Sequence, residues 1–108
     1  MGYMEGYIVT FFTQQKRGQD GVSVANWIIE KAKQLGIRGA TLLSGDEGFG
    51  HDGRYHSESI FDLEDRPLQV VLVLTSDECE RLFSAMKKKQ LSVFFTKTAT
   101  EFGLTSDP

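Results

Sequence analysis

The run Gly45-Asp46-Glu47-Gly48-Phe49-Gly50-His51-Asp52-Gly53, continuing through Arg54-Tyr55-His56, gathers the residue types best suited to chemistry. Its four glycines in nine residues free the backbone to take positive φ, at an entropic cost that an ordinary connector avoids. Bare amides of this kind can approach a ligand closely or form a concave anion-binding nest. The same composition also suits a long surface connector between two strands. His51 and His56, with Asp46, Glu47 and Asp52 nearby, offer nitrogen and oxygen ligands to a divalent metal. Against a metal, the two histidines lack the fixed face of a helical i, i+4 pair, and the chain has no third histidine. Neutral histidines making loop hydrogen bonds and titrating near about pH 6.5 are the alternative reading.

A second cluster is Lys87-Lys88-Lys89. At the end of a helix each lysine gains about 0.3–1 kcal/mol from the helix dipole. In an acidic chain three in succession also make a local positive site able to hold phosphates as point charges. Lys16 and Arg17, in a polar glycine-punctuated stretch, read as solvated charges. Catalytic signatures are absent: there is no serine elbow, no Cys-His pair at suggestive spacing, no Walker loop and no Rossmann fingerprint after a strand. Asp46, Glu47 and Asp52 could form an acid-base pair, but loop solubility explains each as well.

The elements that must position these residues are legible from periodicity. Gly6 to Phe12 reads as a strand apolar on both faces, with Tyr7, Val9 and Phe11 on one side and Ile8, Thr10 and Phe12 on the other. A helix is expected from about Val22 to Leu35, because Ala25, Ile28, Ile29 and Ala32 repeat at i, i+3, i+4, i+7 and Gly36 supplies a stop. Trp27 lies at the edge of that stripe and reads as a packing residue. A second strand spans Arg38 to Leu43 and runs into the glycine-rich loop, which extends to Asp65-Arg66-Pro67, with Ile60-Phe61-Asp62-Leu63 as a short piece of its own. Leu68 to Thr75 is the strongest strand signal and must be central. Ser76 is the expected cap of a second helix, in which Cys79, Leu82, Phe83 and Met86 repeat the same template and point Cys79 at the core. Leu91 to Phe95 is the expected last strand, and Thr96 to Pro108 gives no clear signal.

The order strand, helix, strand, strand, helix, strand predicts an α+β domain of ferredoxin-like βαββαβ type spanning residues 1–108. Right-handed crossovers place both helices on one face of a four-stranded antiparallel sheet. The other face would then expose a large apolar patch, which predicts burial against further copies of the chain. The formal net charge of −3 argues against a general nucleic-acid binder. A single cysteine, no apolar run of membrane-spanning length and no basic-then-apolar leader point to a cytoplasmic protein with no direct membrane insertion.

The order of elements, Gly48-Phe49-Gly50 straight after the second strand, and a long loop ending in Pro67 before a third strand together resemble the PII signalling superfamily. The similarity is to its short-loop PII-like branch, in which a Gly-Phe-Gly-His sequence, here Gly48 to His51, follows a strand like Gly39-Ala40-Thr41-Leu42-Leu43. It runs from about Glu5 to Thr98. The resemblance implies a homotrimer whose sheets line a central core, with an adenine nucleotide (ADP, ATP or AMP), alone or with a small anion, in each inter-subunit cleft. It also implies a flexible loop, here 45–66, that changes shape with the ligand and contacts a membrane transporter or a metabolic enzyme. On that basis Gly45, Gly48, Phe49 and Gly50 form the loop base against the nucleotide. Lys87, Lys88 and Lys89 fall at the phosphate-contacting segment, and Lys97 at a basic position just after the last strand. The glycine-rich sequence usual in that segment is missing, because Lys89-Gln90-Leu91 enters the strand almost directly. Tyr55 lies outside the family's modified-tyrosine motif, so no uridylylation is expected.

Three functional readings follow. The first is a non-enzymatic, nucleotide-binding regulatory protein. The second is a metal-responsive trimer similar to the CutA relatives, with His51 and His56 as ligands. The third is a small ferredoxin-fold enzyme using a loop carboxylate and histidine.

Overall fold

The computed structural model describes residues 2–14, 23–45, 47–49, 55–57 and 67–107, the strand residues 47–49 and 55–57 through their backbone alone. In chain order the elements are β1 (Tyr3–Gln14), α1 (Val24–Gln34), β2 (Ala40–Ser44), β3 (Glu47–Phe49), β4 (Tyr55–Ser57), β5 (Pro67–Leu74), α2 (Ser76–Lys88) and β6 (Phe94–Gly103). Four of the strands form an antiparallel sheet in the order β2-β5-β1-β6, the ferredoxin-like βαββαβ arrangement. As the sequence predicts, β5 is central.

The pleat sorts the side chains of this sheet. Val9 and Phe11 of β1 and Leu68, Val70, Leu72 and Leu74 of β5 lie beneath the helices, and none is more than 6% exposed. Ala25, Ile28 and Ala32 of α1 and Cys79, Leu82 and Met86 of α2 close the core from above. Register carries the alternation across strands: Ile8 pairs with Val73 and Phe12 with Phe94 on the opposite side, which neither α1 nor α2 covers. Ile8, Leu43, Val73 and Phe94 are all at least 38% exposed there.

Helix starts follow side-chain capping. Ser23 Oγ accepts the Asn26 amide at 3.1 Å, so α1 begins just after Ser23, slightly inside the expected start. The second helix corrects an expectation: its cap is Thr75, not Ser76. Thr75 Oγ1 accepts the Glu78 amide at 3.2 Å, and the Thr75 amide donates to Glu78 Oε1 at 2.9 Å. A cap at Ser76 would place Cys79 at the third helical position, where a thiol cannot return the second bond of this capping box.

Both helices end in the same paired bonds. Ile37 donates to the Ala32 carbonyl and Gly36 to that of Lys33, while Leu91 donates to Met86 and Gln90 to Lys87. The turning residue has positive φ in each case: Gly36 at 78° and Gln90 at 61°. Gln90 thus holds a backbone conformation that costs a residue with a Cβ roughly 1–2 kcal/mol.

Two further expectations change. The last strand is not Leu91–Phe95 but Phe94–Gly103, because the long β1 offers it a partner from Phe12 back to Tyr3. Thr96, Thr98 and Thr100, β-branched at period two, fit such a strand. The stretch after β2 also contains regular structure: β3 and β4 pair as a separate two-stranded sheet, Glu47 opposite Ser57 and Phe49 opposite Tyr55. The piece expected at Ile60 to Leu63 lies outside the described residues.

Candidate functional site

Topology brings the candidate residues to one end of the main sheet. Gln14 closes β1 opposite Pro67, Ser44 closes β2 opposite Leu68, and β6 enters with Phe94 opposite Phe12. Because α2 runs back antiparallel to β5, its C-terminus arrives at this same end. Lys87 and Lys88 stand in its last turn, with Lys89 as the capping residue. On the other side is Gly45, half-buried, its amide donating to the Pro67 carbonyl at 2.9 Å and so extending the β2–β5 ladder by one bond. Gly48 and Phe49 follow within β3, where Gly48 is opposite His56 of β4. Gly50 and His51 lie outside the described residues.

Lys97 is placed differently from expectation. It lies within β6, opposite Val9, rather than after the strand. At about 3.4 Å per residue it is some 10 Å along the strand from Phe94. Its Nζ sits 4.1 Å from the centroid of the Tyr7 ring, a cation–π contact that sequence reasoning did not anticipate because it depends on the β1–β6 register. The same ammonium faces buried Cys79: burial pushes the thiol pKa up, Lys97 pulls it partly back, and Glu80 adds to the rise. Cys79 is therefore a protonated core residue near neutrality.

The donor set at the end of α2 decides what it can hold. The amides of Lys89, Gln90 and Leu91 all donate back into the helix, to Ala85, Lys87 and Met86. No backbone nest of free amides forms there, so phosphate contacts at this point would fall to the lysine side chains. Ammonium groups suit that task as point charges. Among the described residues no group of three or more His, Cys, Asp or Glu could hold a metal ion. None of their helices is long and apolar enough to cross a membrane.

Residues 6–99 match the model of DUF190, described as "Uncharacterized ACR, COG1993". The chain belongs to this family. Its fold is PII-like. It superposes on CPII from Thiomonas intermedia K12, a nitrogen regulatory PII-like protein solved with ADP, AMP and bicarbonate, with a TM-score of 0.68 at 10% identity, covering 97% of this chain and 94% of that one. A form of CPII bound to ADP and bicarbonate gives a TM-score of 0.64 at 11% identity, covering 97% and 95%. A Thermus thermophilus protein, TTHA0516, placed among PII-like signaling proteins, gives 0.62 at 13% identity, covering 98% and 95%.

Proposed function

We propose that this DUF190 chain is a non-enzymatic, cytoplasmic regulatory protein that assembles as a homotrimer and binds an adenine nucleotide in the clefts between subunits. The observation that carries the reading is the uncovered sheet face. Ile8, Phe12, Leu43, Val73 and Phe94 share a surface that two helices on the opposite side cannot protect, and a second layer of the same sheet satisfies it. Packing that face against copies creates shared clefts at the subunit edges. The nucleotide complexes known for CPII support adenine nucleotides as the ligand class, with bicarbonate as the model for a small second anion.

In this reading Gly45, Gly48, Phe49 and Gly50 form the loop base beside the nucleotide, and Lys87, Lys88 and Lys89 neutralise its phosphates. Lys97 contributes from the β6 edge after leaving Tyr7. Binding orders the 45–66 loop and changes its fit to a transporter or metabolic enzyme, which requires the ligand to prefer the ordered loop over the unordered one.

Native mass spectrometry of the purified protein reads subunit number and retained ligand together; a lone subunit at micromolar concentration removes the clefts and the proposal with them. Hydrogen exchange across 45–66 with and without ADP or ATP tests the coupling. Equal protection in both states would count against it.

A further inference from the structure

A groove of about 820 Å³ runs between α1 and α2 on the side of the helices away from the sheet. Trp27 forms one wall, partly packed on the core and partly facing the groove. Ser84 and Ala85, two small residues of α2, form the opposite side and leave room for an incoming side chain. One end is fixed by Arg81, whose guanidinium donates to the Leu35 carbonyl at 2.9 Å and to Asp77 Oδ2 at 3.0 Å. That strut holds the helices at a set spacing and neutralises Asp77. The lining also holds Lys31, Lys88, Lys89 and Glu80, so that with Arg81 and Asp77 it carries two more positive than negative formal charges in a chain of net charge −3.

These features do not suit a small planar ligand. The Lys31 ammonium, 5.6 Å from the Trp27 centroid, already occupies one face of the ring, and no second aromatic among the lining residues could close over a bound base. They suit an elongated occupant with a negative rim and one apolar anchor, and aromatic and arginine side chains are the ones that dominate such contacts. We infer that the groove between α1 and α2 docks an acidic peptide segment of a partner protein, with an apolar side chain of that segment seated between Trp27 and Ser84. This site is on a different face from the uncovered sheet surface and does not rest on the nucleotide reading. Because Lys88 and Lys89 figure in that reading, the test is made at Lys31 and Ser84.

Trp27 is the only tryptophan, so its emission reports on the groove directly. The full chain is titrated with a decapeptide of glutamate and leucine in helical alternation, with a lysine-leucine counterpart, with ADP and with a short single-stranded oligonucleotide. The acidic peptide is expected to shift Trp27 emission saturably, and the basic peptide to leave it unchanged. In the Lys31→Glu, Ser84→Glu double variant the half-saturating concentration should rise at least about tenfold, and in the milder Lys31→Gln variant about threefold, with far-UV circular dichroism and ADP affinity as in the parent chain. The inference is overturned by no saturable response to the acidic peptide, by an equal response to the basic one, by tighter binding of the oligonucleotide, or by variants that bind as the parent does.

Discussion

Both faces of the sheet carry large apolar side chains but differ in their surroundings. On β1 and β5, Val9, Phe11, Val70 and Leu72 are at most 1% exposed, whereas their neighbours Ile8 and Val73 are 38% and 41% exposed. An antiparallel sheet meant to face water on one side ordinarily alternates apolar with polar residues. Here the open face is mixed: Ile8, Phe12, Val71, Val73 and Phe94 share it with Thr10, Gln69, Thr96 and Thr98. The covered face gets its protection from helices built by the same chain, and among the described residues the open face has no such layer.

The strongest way to break this comparison is to charge the open face. Ile8→Lys with Val73→Lys places two ammonium groups at a paired position of the sheet, and the expected outcome is a folded single subunit by sedimentation. An oligomer of the same size in parent and variant would show that this face is not the contact. Next in size is a truncation on the covered face: Leu72→Ala should lower the unfolding free energy by about 2–5 kcal/mol in urea titrations, because the site is closed on all sides. At the sheet end, Lys87→Ala together with Lys89→Ala should weaken ADP binding by about tenfold in calorimetry, since the nearby amides are already committed within the helix.

The helix ends extend the contrast at smaller scale. Gln90→Gly should stabilise the chain by about 1 kcal/mol and Gly36→Ala destabilise it by a similar amount, because both positions hold positive φ and only one has glycine. Smallest is the response to alkali. With its pKa raised by burial, Cys79 stays protonated in the folded chain after the unfolded thiol has ionised. Its share of stability is thus complete below the ordinary thiol pKa and is lost as pH climbs through the raised value. Replacement by Ala should flatten that part of the stability profile, and alkylation of the folded chain at about pH 8 should be slow.

Much of the architecture was legible because it is written in local patterns. The i, i+3, i+4, i+7 stripes placed Cys79, Leu82 and Met86 in the core, and the doubly apolar β1 announced a face in need of cover. The loop residues were harder. Gly45 reads as a bare amide in a flexible run, yet its N–H closes a ladder bond with the distant Pro67. Lys97 was expected just after the last strand, yet register sets it within β6 and over Tyr7. Ser76 and Thr75 are both fit to cap α2, and Glu78 chooses between them.

The sequence alone determined the helices with their apolar stripes, the order of strands and the surplus of apolar surface, since each depends on residues within a few positions of one another. Only the tertiary structure decided how far β6 extends, which residues meet at the end of the sheet, and that Trp27 lies across a groove from Ser84. Those are pairings between distant segments, and their geometry follows from strand register and helix spacing, which no local run of side chains encodes.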